Sequence, residues 1–107
     1  MRISIIGAGP VGNYTAYLLV QQGHDVHVFE DHDVIGKPIQ CTGLMTASLH
    51  DVFMPANEYI TNVTEHIEVI APQGNKVSLN AKEYIVDRAL FDQALARQAQ
   101  DAGAPAW

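Results

Sequence analysis

The sequence predicts an α/β fold: a parallel strand–helix–strand unit, then an antiparallel hairpin and a further helix. Three observations predict it. Ile3-Ser4-Ile5-Ile6 runs straight into Gly7-Ala8-Gly9-Pro10-Val11-Gly12, a glycine-rich turn that opens a helix-like stretch. Val26-His27-Val28-Phe29-Glu30 then reads as a second strand ending in an acid. Further on, His66–Ile70 and Lys76–Leu79 alternate polar and apolar residues around Pro72-Gln73-Gly74-Asn75, the pattern of a hairpin.

Each element has its own justification. Residues 2–7 are apolar almost without interruption, as in a strand buried on both faces of a parallel sheet. A G-x-G-x-x-G segment between a strand and a helix is the confirmed context of a dinucleotide fingerprint, and this unit is Rossmann-like. Gly7 allows the tight turn, Gly9 admits a pyrophosphate to the backbone, and Gly12 lets the helix approach the strand. Phosphate would sit on the open N–H groups of the helix start, so Gly7, Gly9, Pro10, Val11 and Gly12 are the expected nucleotide contacts. The helix, over 11–22, places Val11, Tyr14, Leu18 and Leu19 along one face, and Tyr14 and Tyr17 read as packing residues. Ala16 keeps the helix near the sheet and Gly23 ends it. Strand 25–30 delivers Glu30, with Asp31 beside it, about twenty residues past the glycines, where an acid accepts hydrogen bonds from a ribose diol and repels a 2′-phosphate. The plainer readings are an ordinary tight turn and a solvated strand-end acid.

From Asp31 to Met45 a loop containing Gly36, Pro38 and Gly43 is expected, then a short helix from Thr46 to Phe53, closed off by Pro55. The hairpin is expected over 65–80, with Tyr84-Ile85-Val86 as a separate brief strand. Asp87 would cap a last helix whose inner face carries Phe91, Ala94, Leu95, Ala99 and Ala102, and Gly103 would stop it. No strand is expected after that helix. A doubly wound sheet would then be unfinished, which suggests the front part of a larger protein or a truncated gene product.

Composition narrows the class. The chain has 107 residues, 48% hydrophobic and 17% charged, which suits one small globular domain at most. A formal charge of −6 argues against nucleic acid as a partner. The apolar N-terminal stretch after Arg2 is too short for a membrane span and runs into the glycine turn, so it is a strand rather than a signal peptide. The one cysteine, Cys41, excludes an intrachain disulfide and suits a reducing, cytoplasmic setting. Asn62-Val63-Thr64 matches a glycosylation sequon, taken as chance without a secretory signal. His24, His27, His32, His50 and His66 lack paired ligand spacing, so no metal site is expected.

Three stretches covering nearly the whole chain resemble the FAD-dependent geranylgeranyl reductases, within the aromatic-hydroxylase-like flavoprotein group. They are the Gly7–Gly12 fingerprint with Glu30, the loop Ile35-Gly36-Lys37-Pro38-Ile39-Gln40-Cys41-Thr42-Gly43, and Val86-Asp87-Arg88-Ala89-Leu90-Phe91-Asp92-Gln93-Ala94-Leu95. The loop is the most family-specific. The resemblance implies an FAD-binding domain, of which residues 1–107 are an N-terminal portion incomplete relative to the full family fold. It implies Glu30 on the adenosine ribose and Arg88 near the pyrophosphate. Cys41, Thr42 and Gly43 would lie by the flavin, with Cys41 near the substrate as the candidate catalytic residue. The hairpin would belong to the substrate-facing sheet. The implied reaction is hydride transfer from reduced flavin N5 to a carbon–carbon double bond of a geranylgeranyl or other prenyl lipid. Electrons would come from NAD(P)H or a ferredoxin-type donor, and the full-length protein would touch the membrane peripherally. The family's downstream Gly-Asp flavin motif has no counterpart in these residues, so the chain alone is expected to be inactive.

Rival readings stand beside this one. Arg88 can be a first-turn residue of an exposed helix, although a helix start disfavours a cation unless an anion is near. Cys41 can be a plain loop thiol and Lys37 a solvated side chain. At the level of function the alternatives are a flavin monooxygenase or halogenase of the same fold, a non-catalytic truncated nucleotide-binding module, and an NAD-dependent dehydrogenase.

Overall fold

β1 (Arg2–Ile6) and β2 (Asp25–Phe29) pair in parallel, Arg2 opposite Asp25 and Ile6 opposite Phe29, with α1 (Pro10–Gln21) as the crossover between them. The structure, a computed structural model, describes residues 1–52 and 56–107. It falls into two units, Met1–Gln40 with Arg88–Trp107, and Cys41–Asp87. The α/β class holds: a parallel βαβ unit, a three-stranded antiparallel sheet and a C-terminal helix.

In the first unit, β1 and β2 bury one face only. Val26 and Val28 sit in a core with Ala8, Ala16, Ala99 and Ala104, and Ile3, Ile5, Leu19 and Val20 pack against it. Ile6 stays 83% exposed, so the expected burial of residues 2–7 on both sides is corrected. The cause is layering: both helices of this unit pack on the same face, and no described element of it covers the other.

The inner face of α1 is also corrected. Asn13 and Ala16 are buried, whereas Val11 is 80% exposed and Leu18 is exposed. Gly12 and Ala16 are one turn apart and therefore share a ridge. That ridge of small side chains brings the helix onto the strand and turns the larger residues to its flanks. Tyr14 and Tyr17 stack at 6.4 Å, in keeping with a packing role.

Both helices end as the glycines suggested. Gly23 N–H donates to the Val20 carbonyl and His24 N–H to Leu19. At the end of α2 (Arg88–Ala102), Gly103 N–H donates to Gln100 and Ala104 N–H to Ala99. With φ of +85° at Gly23 and +117° at Gly103, each is a Schellman cap.

The chain does not stop at that cap. Val28 N–H donates to the Pro105 carbonyl, Trp107 N–H to Val28, and Glu30 N–H to the Trp107 carbonyl, with Ala106 bridged in parallel to Val28. The expectation that no parallel strand follows the last helix is corrected: Pro105–Trp107 extends the sheet beside β2. Gly103 reverses the chain so that the next residues lie along that strand. On α2 the buried residues are Ala89, Phe91, Asp92, Leu95, Ala96 and Ala99. Ala94 and Ala102 lie only at the margins of the face predicted for them.

In the second unit β3 (Leu44–Thr46), β4 (Ile60–Ile70) and β5 (Lys76–Val86) form an antiparallel sheet in the order β3-β5-β4. The hairpin turns where predicted, with Ala71 N–H on the Asn75 carbonyl and Gly74 N–H on Ala71. It is longer than predicted, and Tyr84–Val86 is the end of β5 rather than a separate strand. Register shifts between Ile60 and Asn62 and between Thr64 and His66 keep the strands paired where the apolar alternation lapses. The expected helix from Thr46 is a 3-10 turn over Ala47–Asp51. Phe53 and Pro55, its predicted end and stop, lie outside the described residues.

Candidate nucleotide-binding site

Gly9 is the N-cap of α1, Pro10 begins the helix, and no side chain caps that end. The N–H groups of the first turn have no partner within the helix, and with the dipole they favour an anion. A Cβ built on Gly9 would meet nothing within 4 Å, so the space above the turn is open. Gly12 is the opposite case: its Cβ would run into the carbonyl oxygen of Gly7. The loop is held from beneath by Asn13, 1% exposed, whose Nδ2 donates to the Ala8 carbonyl at 2.7 Å. Sequence reasoning missed this residue; a polar side chain one position past the fingerprint was the available signal.

The acid of β2 reaches the same loop. Ala8 N–H donates to Glu30 Oε2 at 2.7 Å, while Oε1 accepts from the N–H groups of Asp31 and His32 at 3.1 and 3.0 Å. The His32 ring completes the set, Nδ1 lying 2.6 Å from Oε1 of Glu30 and 3.0 Å from Asp31. The side-chain polar atoms of Glu30, Asp31 and His32 lie within 4.8 Å of one another, a grouping of two acids with one histidine that the histidine spacing did not reveal.

These contacts set the ionisation. The Ala8 N–H first, then the His32 ring and N–H, hold the Glu30 carboxyl at about 2 against an ordinary 4.5. His32 moves up from 6.5, because of Glu30 first and Asp31 second. A depressed glutamate contributes stability that is complete above 4.5 and lost as pH falls towards 2. A raised histidine contributes stability that is complete below 6.5 and lost as pH rises through its folded value. The stability difference between the natural chain and Glu30→Gln should therefore peak between pH 4.5 and 6.5 and shrink on either side. Chemical denaturation across the pH range measures it; a difference independent of pH would remove the role given to these contacts.

Ile6, Gly7, Phe29, Glu30, Asp31 and Trp107 line a cavity of about 370 Å³ at the ends of the parallel strands. That is the size and position of a small-molecule site in an open α/β sheet. Ile6, Phe29 and Trp107 were not foreseen as lining residues. Phe29 could have been found as the neighbour of Glu30; Trp107 could not without the pairing of the chain end to β2.

The remaining predicted residues stand as follows. Gly7, Gly9, Pro10, Val11, Gly12, Glu30, Asp31 and Arg88 belong to the first unit, and Cys41, Thr42 and Gly43 to the second. Arg88 Nε and Nη2 donate to the two oxygens of Asp92 at 2.9 and 3.3 Å, one helical turn on. The charge at this helix start thus has a partner on its own helix, which the sequence reading did not include. Cys41 and Thr42 are exposed, and the Cys41 sulfur accepts from Gly43 N–H at 3.4 Å. The two family-like segments meet inside each unit. A Cβ on Gly36 would come within 2.8 Å of Ala89 Cα, and Gln93 donates to the Ile35 carbonyl. In the second unit Val86 N–H donates to the Gly43 carbonyl, and a Cβ on Gly43 would collide with the Val86 carbonyl oxygen.

The site and fold agree with what the chain is similar to. The profile of the NAD(P)-binding Rossmann-like domain family matches residues 5–49. Over 109 aligned positions the chain is 37% identical to a digeranylgeranylglycerophospholipid reductase of Methanosphaerula palustris and 34% identical to that of Methanoculleus marisnigri. Each match covers 95% of this chain and 27% of the relative. The chain is thus similar to the N-terminal, Rossmann-like nucleotide-binding part of the geranylgeranyl-reductase-like flavoproteins, and it spans about a quarter of the length of these relatives. In fold it superposes on a geranylgeranyl bacteriochlorophyll reductase-like protein of Thermoplasma acidophilum with a TM-score of 0.89, at 24% identity, over 97% of this chain and 28% of that one. A flavin-dependent brominase matches at a TM-score of 0.73 and 18% identity, over 100% of this chain and 29% of the other; at such identity the likeness is one of fold alone. Among the described residues no helix is long and apolar enough to cross a membrane.

Proposed function

We propose that this chain forms the adenosine- and pyrophosphate-binding part of an FAD-dependent reductase acting on carbon–carbon double bonds of a geranylgeranyl or other prenyl lipid. The observation that carries the reading is the meeting of Glu30 with the glycine turn at the mouth of one cavity. The residues present fit the group: an uncapped helix start and open space over Gly9 suit a pyrophosphate, and Glu30 suits a ribose diol.

FAD, when bound in its reduced form, supplies the hydride that saturates the double bond. The chain's residues bind and orient it. The N–H groups of the first turn of α1 would hold the pyrophosphate, and Glu30 would accept hydrogen bonds from the ribose hydroxyls. Arg88, paired with Asp92 on its own helix, would supply a positive charge near the phosphates. By the family likeness, Cys41, Thr42 and Gly43 would serve as flavin contacts, with Cys41 the candidate catalytic residue, and the β4–β5 hairpin would belong to the substrate-facing sheet. NAD(P)H or a ferredoxin-type protein is the reductant. The reductase relatives, at 30–37% identity, favour this chemistry over the halogenase alternative, whose likeness is 18–19% and one of fold alone.

The test is a binding titration with FAD and with NAD. FAD should bind, and Glu30→Ala should weaken it by about 1.5–3 kcal/mol, the range for a charge-assisted hydrogen bond. Retention of NAD with no affinity for FAD would sink the assignment. Anaerobic assay of the whole reductase with a prenyl lipid then distinguishes saturation of the lipid from oxygenation or halogenation.

A further inference from the structure

We infer that Trp107 is the base-selecting residue of this site, an indole platform for the adenine ring; the inference rests on the nucleotide reading above. Trp107 has its backbone placed by two bonds to β2, its N–H on the Val28 carbonyl and its carbonyl on Glu30 N–H, both at 2.8 Å. The residue is thereby pinned beside the acid that would hold the ribose. Its side chain lines the same cavity as Glu30, Asp31 and Gly7.

The indole is oriented as well as placed. Its Nε1–H donates to His27 Nδ1 at 3.4 Å, which ties one edge of the ring to β2. The rest remains open: Trp107 is 70% exposed, next to an exposed Phe29. Three large apolar side chains, Ile6, Phe29 and Trp107, thus face water around a carboxylate. A flat heteroaromatic base joined to a ribose satisfies both halves of that lining. Its ring covers apolar surface by stacking, and its sugar meets Glu30. A purine offers a larger stacking face than a pyrimidine, so the platform would discriminate between them.

Trp107 is the only tryptophan of the chain, which makes the inference directly measurable. ADP, which carries the base, ribose and pyrophosphate without the flavin, is titrated against the protein and followed by tryptophan fluorescence and by calorimetry. The expected result is saturable quenching with the calorimetric affinity. Trp107→Ala should weaken ADP by about ten- to a hundredfold, Trp107→Phe by less, and the preference for ADP over UDP should shrink in Trp107→Ala. The two backbone bonds survive these substitutions, so the denaturation midpoint should stay near that of the natural chain, which separates stacking from structural support.

Unquenched fluorescence on calorimetrically confirmed binding would overturn the inference and leave the nucleotide reading intact. So would a Trp107→Ala affinity within about twofold of the natural one, or an unchanged ADP-to-UDP preference. Binding of neither ADP nor FAD would overturn both.

Discussion

Replacing Gly9 by valine is expected to abolish FAD binding while leaving the fold in place. A Cβ at this position meets no atom within 4 Å, and the backbone, at φ −73° and ψ −177°, is extended and open to any residue. The cost to the protein is that of a poorer N-cap, about 1 kcal/mol or less. The cost to the ligand is larger, because the isopropyl group fills the space through which a pyrophosphate would reach the first-turn N–H groups. A loss of at least a hundredfold, about 2.7 kcal/mol, is expected by titration. Unchanged FAD affinity in a folded Gly9→Val protein would show that phosphate does not approach there.

Gly12→Ala should do the reverse and strike the fold. The new Cβ would collide with the carbonyl oxygen of Gly7, a backbone atom that cannot rotate away. Gly7 is itself fixed by its N–H on the Phe29 carbonyl at 2.6 Å, so relief requires α1 to lift from the sheet or the turn to deform. Helix propensity alone would reward the change by about 1 kcal/mol. Overpacking against rigid backbone costs about 3 kcal/mol or more, and it decides the sign. The midpoint of chemical denaturation should fall clearly. An alanine variant as stable as the natural chain would mean that the turn has room the structure does not show.

These two glycines are equivalent in a sequence motif and opposite in physical role. Much of the rest was legible because it depends on local chemistry. A helix opening on glycines, an acid at the end of a valine-rich strand and a glycine-containing turn between alternating runs each carry their own signal. Ala16 against the sheet and the caps at Gly23 and Gly103 were readable for the same reason. Asn13 beneath Ala8 and Asp92 beside Arg88 were not, because a polar residue inside a helix looks solvated until its burial is known. The long β5 was broken in the reading because Asn80 to Glu83 lack apolar alternation, which the register shift opposite Thr64 and His66 accommodates.

The sequence by itself determined the α/β class, the glycine turn and the acid that faces it, because strand and helix periods and turn chemistry act over a few neighbouring residues. Tertiary structure alone decided which face of each element is buried, that Pro105–Trp107 joins the sheet, and that Trp107 and Glu30 share one cavity. The last two outcomes depend on hydrogen bonds between Val28 and residues nearly eighty positions away, and the burial of each face depends on which elements pack on it; no local pattern encodes either.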